Sequence, residues 1–165
     1  MTATPPIRIR QPRPYDLVDD PIVVAGVGTA FEGTLQVRVR DHRGDVLAHK
    51  SFMAGGTGIW GNFVVRLDVP GVPASPHATV EVYELSAEDG NEINKRQVRV
   101  VLGRSLVDPY QGFAVHTVVE GETLSSIAEQ WYGDPDRYRT IFQANRHVLD
   151  DPDVIIPGQE LRIPQ

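Results

Sequence analysis

Apolar and polar residues alternate in short runs through the first hundred positions. Leu35, Val37 and Val39 are interleaved with Gln36, Arg38 and Arg40, and Val80, Val82 and Leu85 are separated by Glu81 and Glu84. A period of two predicts strands with one buried face. Such runs fall at residues 7–10, 22–27, 35–40, 46–52, 63–69, 79–85 and 97–102. Turn-forming stretches separate them: Asp41 to Asp45, Pro70-Gly71 and Glu88 to Asn91. Gly55-Gly56-Thr57-Gly58 reads as a hairpin loop, and it lacks the Lys-Ser/Thr that follows a phosphate loop. About seven short strands in under a hundred residues predict an all-β sandwich over residues 7–102.

The period then lengthens. Leu124, Ile127, Ala128 and Trp131 recur at the spacing of an amphipathic helix, with Thr123 as its N-cap and Gly133 just past its end. On that stripe Trp131 is expected in the core. A second helix is predicted from Asp134 and Pro135 to about Asn145, with Tyr138, Ile141 and Phe142 on its apolar face. A short strand at 114–119 and the turn Glu120-Gly121-Glu122 precede the helices. After a loop and the turn Pro157-Gly158, Leu161 and Ile163 alternate as a closing strand. Residues 114–165 thus form an α+β unit of plan β-α-α-β, and the fold class of the whole is mixed. Residues 1–6 read as a flexible tail. Residues 103–113 form a linker whose Leu106, Val107, Tyr110 and Phe113 are expected to pack on one or both domains.

Composition narrows the function. The 165 residues contain no cysteine, so there is neither a disulfide framework nor a thiolate site. No uncharged run is long enough to span a bilayer, and the first residues lack the apolar core of a secretory signal. As written, the chain would stay in the cytoplasm; if exported or trimmed, it would belong to the cell envelope. The net charge of −6 argues against a nucleic-acid partner. The acidity is uneven: residues 111–165 hold nine of the 22 acidic residues but four of the 16 Lys and Arg.

Two resemblances follow from particular residues. Val118-Val119-Glu120-Gly121-Glu122-Thr123-Leu124 at one end and Ile155-Ile156-Pro157-Gly158-Gln159-Glu160-Leu161 at the other resemble the LysM domain. That resemblance implies binding of N-acetylglucosamine-containing glycans, usually peptidoglycan, without catalysis. Pro21 to Gly26, Phe31-Glu32, Asp41, Gly44, Gly61-Asn62-Phe63 and Glu84 to Gly90 resemble the immunoglobulin-like domain associated with bacterial spore germination. It implies an interaction domain. The segment from Trp131 to Asp134, with Tyr138, Ile141 to Arg146 and Asp151 to Asp153, also looks like the LysM half of a cytoplasmic bacterial potassium-binding protein.

The glycan-binding candidates carried over from the LysM pattern are Gly121, Glu122, Thr123 and Leu124 on one loop, and Val154, Ile155, Ile156, Pro157 and Gly158 on the other. Loop peptide groups can satisfy an acetamido donor and acceptor, and apolar side chains can cover a sugar face. Trp60 reads either as an exposed interaction residue or as a plug at one end of the sandwich. Asp150, Asp151 and Asp153 lack the spacing of a calcium loop, and the five histidines lack any zinc spacing. No nucleophile elbow or hydrolase carboxylate motif is present. The expectation is a non-enzymatic protein without metal or cofactor. It binds peptidoglycan or another N-acetylglucosamine glycan through LysM and a protein partner through the sandwich. Alternatives are a cytoplasmic adaptor or scaffold and a cytoplasmic potassium-responsive protein.

Overall fold

The computed structural model describes residues 6–165; the rest of the expected tail, residues 1–5, lies outside the described residues. The chain divides after Leu102 into two compact units.

The first unit has two sheets. One orders β1 (Ile7–Gln11), β3 (Ile22–Gly28) and β6 (Gly61–Leu67) as β1-β3-β6, all antiparallel. The other contains β2 (Leu17–Val18), β4 (Thr34–Asp41), β5 (Val46–Met53), β7 (His77–Leu85) and β8 (Glu92–Leu102), in the order β2-β8-β7-β4-β5. Ile7, Ile22, Val24, Phe63, Val65 and Leu67 from the first sheet meet Leu35, Val37, Val39, Val80, Val82 and Val100 from the second in one buried cluster. This is a β-sandwich built by the alternation read from the sequence. Strand β2 was not foreseen. It is two residues long, too short to show a period, and it joins the second sheet by parallel pairing of Leu17 with Val101.

Two readings of this unit need correction. Gly55 to Gly58 do not form a hairpin: β5 and β6 lie in different sheets, so the loop carries the chain across the sandwich. A Cβ at Gly55 would stand 1.8 Å from the Ile59 carbonyl oxygen, so only glycine permits this crossing. Nor is the polar face of the second sheet simply a solvent face. Gln36, Arg38, Glu81 and Glu84 are all buried, because the long side chains of the inner strands β4 and β7 cover one another. Arg38 donates through Nε to Glu81 Oε2 at 2.5 Å, and through Nη1 and Nη2 to the two Glu92 oxygens at 2.5 and 2.8 Å. Arg40 Nε and Gln97 Nε2 complete the Glu81 carboxylate, and Lys95 pairs with Glu92.

The hydrogen bonds from Arg38 and Lys95 hold the Glu92 carboxyl down at about 2. Burial pushes the Glu81 carboxyl up, but its bonds from Arg38 and Gln97 outweigh that and leave it lowered. Carboxyls depressed in the folded state stabilise it fully above their unfolded value of 4.5, and lose that contribution as pH falls through the folded value. The sandwich is therefore expected to lose stability between about pH 4.5 and 2. Urea midpoints measured across that range check this. An R38M variant should show a flatter profile.

The second unit contains β9 (Phe113–Thr117), α1 (Leu124–Tyr132), a 3-10 turn (Pro135–Arg137), α2 (Tyr138–Ala144) and β10 (Glu160–Pro164). β9 and β10 pair antiparallel, with His116 opposite Leu161. Val118, Leu124, Ile127, Ala128, Ile141, Leu149, Leu161 and Ile163 make the core. The caps fall on the expected residues. Thr123 and Ser126 form a reciprocal capping box, and Gly133 closes α1 in the left-handed conformation at φ 69°. Asp134 caps the following turn, as its side chain accepts from the Asp136 N–H. The linker residues 103–113 lie in this unit: Tyr110 packs on Gly103, and the Gln111 N–H donates to the Gln165 carbonyl at 2.6 Å.

Trp131 is not in this core. It sits in the last turn of α1, is 36% exposed, and donates its indole N–H to His116 Nδ1 at 3.3 Å. The helix stripe placed it inward, but an indole N–H needs a partner, and the partly buried His116 on β9 supplies one.

Asn145 is fully buried at the end of α2. Its Nδ2 donates to the carbonyls of Ile141 (2.7 Å) and Arg162 (2.8 Å), and its Oδ1 accepts the Arg162 N–H at 2.8 Å. One side chain thus satisfies the free edge of β10 and ties the helix to the sheet.

Candidate functional site

The ladder of β9 and β10 continues into the two loops beyond it. The Val118 N–H donates to the Gln159 carbonyl at 2.9 Å, and the Gly158 N–H donates to the Val118 carbonyl at 2.8 Å. These two bonds hold the loop before α1 beside the loop before β10.

Glu122 fixes the first loop. Its Oε2 accepts the Val119 N–H at 2.8 Å and lies 2.9 Å from His116 Nε2. The Val119 N–H, and then His116, lower its carboxyl below the usual range. With Trp131 donating to Nδ1, His116 presents Nε2–H to Glu122, so the three side chains brace the turn together. Gly121, at φ 87°, supplies the left-handed residue this turn requires. In the second loop, Asp151 accepts the Asp153 N–H at 2.9 Å and Gln159 Oε1 accepts the Ile156 N–H at 3.2 Å.

Between the loops is a cavity of about 460 Å³ lined by Glu122, Thr123, Leu124, Ser125, Tyr138, Pro152, Asp153 and Ile155. Four of the residues expected from the sequence, Glu122, Thr123, Leu124 and Ile155, come together here. The other five do not line it. Val154 and Ile156 are 61% and 64% exposed on either side of Ile155, Gly158 is spent on Val118, and Gly121 and Pro157 shape the turns. Ser125, Tyr138, Pro152 and Asp153 were not expected in the wall. Ser125 follows from its place in the first turn of α1, and Tyr138 opens α2 facing the same gap.

The cavity offers complementary groups. Among the described residues, the Ile155 N–H and C=O have no hydrogen-bond partner, and neither do the N–H groups of Leu124 and Ser125 in the first turn of α1. Ile155, Pro152 and the Tyr138 ring supply apolar surface beside them, with the buried Leu124 behind. The described residues contain no group of three His, Asp or Glu able to hold a metal ion, and no helix long and apolar enough to cross a membrane.

The model of the immunoglobulin-like domain of bacterial spore germination matches residues 6–91, more than half of the chain. The chain belongs to that family. The LysM model matches residues 116–164, and a LysM domain implies glycan binding. The chain is also similar to a potassium binding protein, Kbp, of Escherichia coli, at 52% identity over 50 residues, or 30% of this chain and 34% of that protein. It is 47% identical over 57 residues to an uncharacterized protein of Deinococcus radiodurans, covering 34% and 22% of the two chains. An esterase of Mycobacterium tuberculosis shares 47% identity over 51 residues, 31% of this chain and 11% of the esterase. The chain thus spans about a third or less of the length of these relatives.

Proposed function

We propose that this is a non-catalytic bacterial binding protein whose LysM groove holds N-acetylglucosamine-containing glycan, with peptidoglycan as the natural source, while the sandwich engages a protein partner. The observation that carries the reading is the cavity between the two loops. It pairs unspent peptide groups at Ile155 and Ser125 with apolar surface from Ile155, Pro152 and Tyr138. An acetamido group needs one donor, one acceptor and a place for its methyl. A shallow site of this size binds short glycans at about micromolar to millimolar Kd, and retention on a wall draws on several sites at once.

Co-sedimentation with purified peptidoglycan sacculi tests the reading. The wild-type chain is expected to pellet. S125W fills the groove from an exposed position, without touching the core, and should pellet at least about tenfold less, the loss of one ligand's worth of contacts. Equal pelleting of both would place any wall binding elsewhere.

A second reading is potassium binding, favoured by the identity to the Escherichia coli potassium binding protein. It predicts a melting temperature that rises with potassium and not with sodium at equal ionic strength.

A further inference from the structure

We propose that the outer face of the second sheet carries an anion site, built on Arg40, Arg43, Thr79 and Arg99, whose occupant is an acidic segment of a protein partner with two closely spaced carboxylates. The inference stands apart from the glycan groove. It rests on the protein-partner half of the reading above and gives that partner a chemistry.

Strand register builds the site. Arg40 on β4 and Arg99 on β8 are both paired with Thr79, on the strand β7 between them. Side chains directly opposite one another in a ladder share a face, so an Arg-Thr-Arg row crosses three strands. It lies on the outer face, since the neighbours Val39, Val80 and Val100 point into the core. The turn between β4 and β5 adds Arg43. These side chains line a cavity of about 530 Å³, to which Glu81 and Gln97 also contribute.

The carboxylates of this cavity are committed and most of its cations are not. Glu81 takes Arg38 and Arg40 on one oxygen and Gln97 on the other. Asp41 turns its carboxylate into its own turn, onto the N–H groups of Arg43 and Asp45 at 2.8 and 2.9 Å. Arg40 gives Nε to Glu81 and Nη1 to the Gly44 carbonyl, which pins its guanidinium and leaves Nη2 open. Among the described residues, the side chains of Arg43 and Arg99 make no hydrogen bond or ion pair, and neither does the Thr79 hydroxyl. A wall with donors open and carboxylates committed calls for an anion, and a guanidinium fork takes a carboxylate through two parallel bonds.

The spread of the donors favours two carboxylates over one compact ion. β4 and β8 are two strand spacings apart, about 10 Å. In an extended segment, residues i and i+2 project from one face about 7 Å apart, and glutamate side chains reach outward from there. The chain as a whole carries a net charge of −6, which repels long polyanions and suits a short acidic segment at one basic spot.

The test is a nitrogen-15 NMR titration of the full chain at low ionic strength. The probes are acetyl-Gly-Glu-Ser-Glu-Gly-amide, its counterpart with glutamine for glutamate, and inorganic phosphate. The acidic peptide is expected to bind at about millimolar Kd, with shifts at Thr79, Gln97, Arg99 and the turn from Asp41 to Gly44. The glutamine peptide should leave these resonances unmoved. R43Q combined with R99Q alters two exposed side chains that hold nothing in the fold. It should keep the wild-type urea midpoint and weaken the acidic peptide about tenfold, as the loss of two exposed ion pairs. Equal binding of the two peptides, full binding by the double variant, or no response to the acidic peptide at millimolar concentration overturns the site. Phosphate shifting the same resonances more strongly than the acidic peptide overturns the assigned occupant. Each of these results leaves the sandwich able to engage a protein through another face. The partner reading fails by a different result: photo-crosslinkers placed on every face of the sandwich capture no protein in cells, and the proposed occupant then falls with it.

Discussion

Asn145→Ala is expected to destabilise the LysM unit by roughly 2–4 kcal/mol, enough to leave a unit of this size largely unfolded at 37 °C. The side chain makes three hydrogen bonds while fully buried, to the Ile141 carbonyl and to both peptide groups of Arg162. Alanine replaces none of them. Two carbonyls and one N–H lose their partner, and a void opens between α2 and β10. The cost falls on a unit with little to spare, since a sheet of two strands and two short helices buries few side chains. Urea unfolding followed by amide cross-peaks separates the units. The LysM peaks should collapse at much lower urea in the variant, with the sandwich peaks unmoved. Retention of the wild-type midpoint would mean that Asn145 is not the tie between helix and sheet.

In the sandwich, Glu81→Leu should cost about 3 kcal/mol. Arg38 is nearly as buried as Glu81, and the mutation leaves its Nε without a partner, although Glu92 still holds the other two nitrogens. The penalty lies in the stranded charge rather than in the value of the pair. Replacing both residues, as R38M with E81L, should therefore cost less than E81L alone. Arg40 and Gln97 lose their shared acceptor in both variants, so the difference between them isolates the stranded guanidinium. A double variant as unstable as the sum of the singles would show no coupling between Arg38 and Glu81 and would contradict the stranded-charge account.

Local chemistry was legible in the sequence where its cause was local. Thr123, Gly133 and Asp134 are legible as caps because capping involves residues two to four apart. Alternation gave the inner faces of the sandwich because the strand period is a local property. The failures share a different cause. Asn145 closes its bonds 17 residues away on β10, a partnership with no periodic signature. Arg38 and Glu81 looked like solvent-facing residues because burial by neighbouring strands depends on sheet order. Gly55 to Gly58 resembled a hairpin because a crossing between sheets uses the same residues as a tight turn. At the groove, the loop residues of the sequence pattern gave half of the wall, and the rest came from α1, α2 and the acidic loop that the fold brings alongside.

The central claim is that this groove holds N-acetylated glycan. The most direct measurement is a nitrogen-15 NMR titration of the full chain with tetra-N-acetylchitotetraose in potassium-free buffer. Saturable shifts are predicted at Glu122 to Ser125, Tyr138, Asp153 and Ile155, the residues around the cavity. An absence of shifts at millimolar ligand, or shifts confined to the sandwich, would contradict the account.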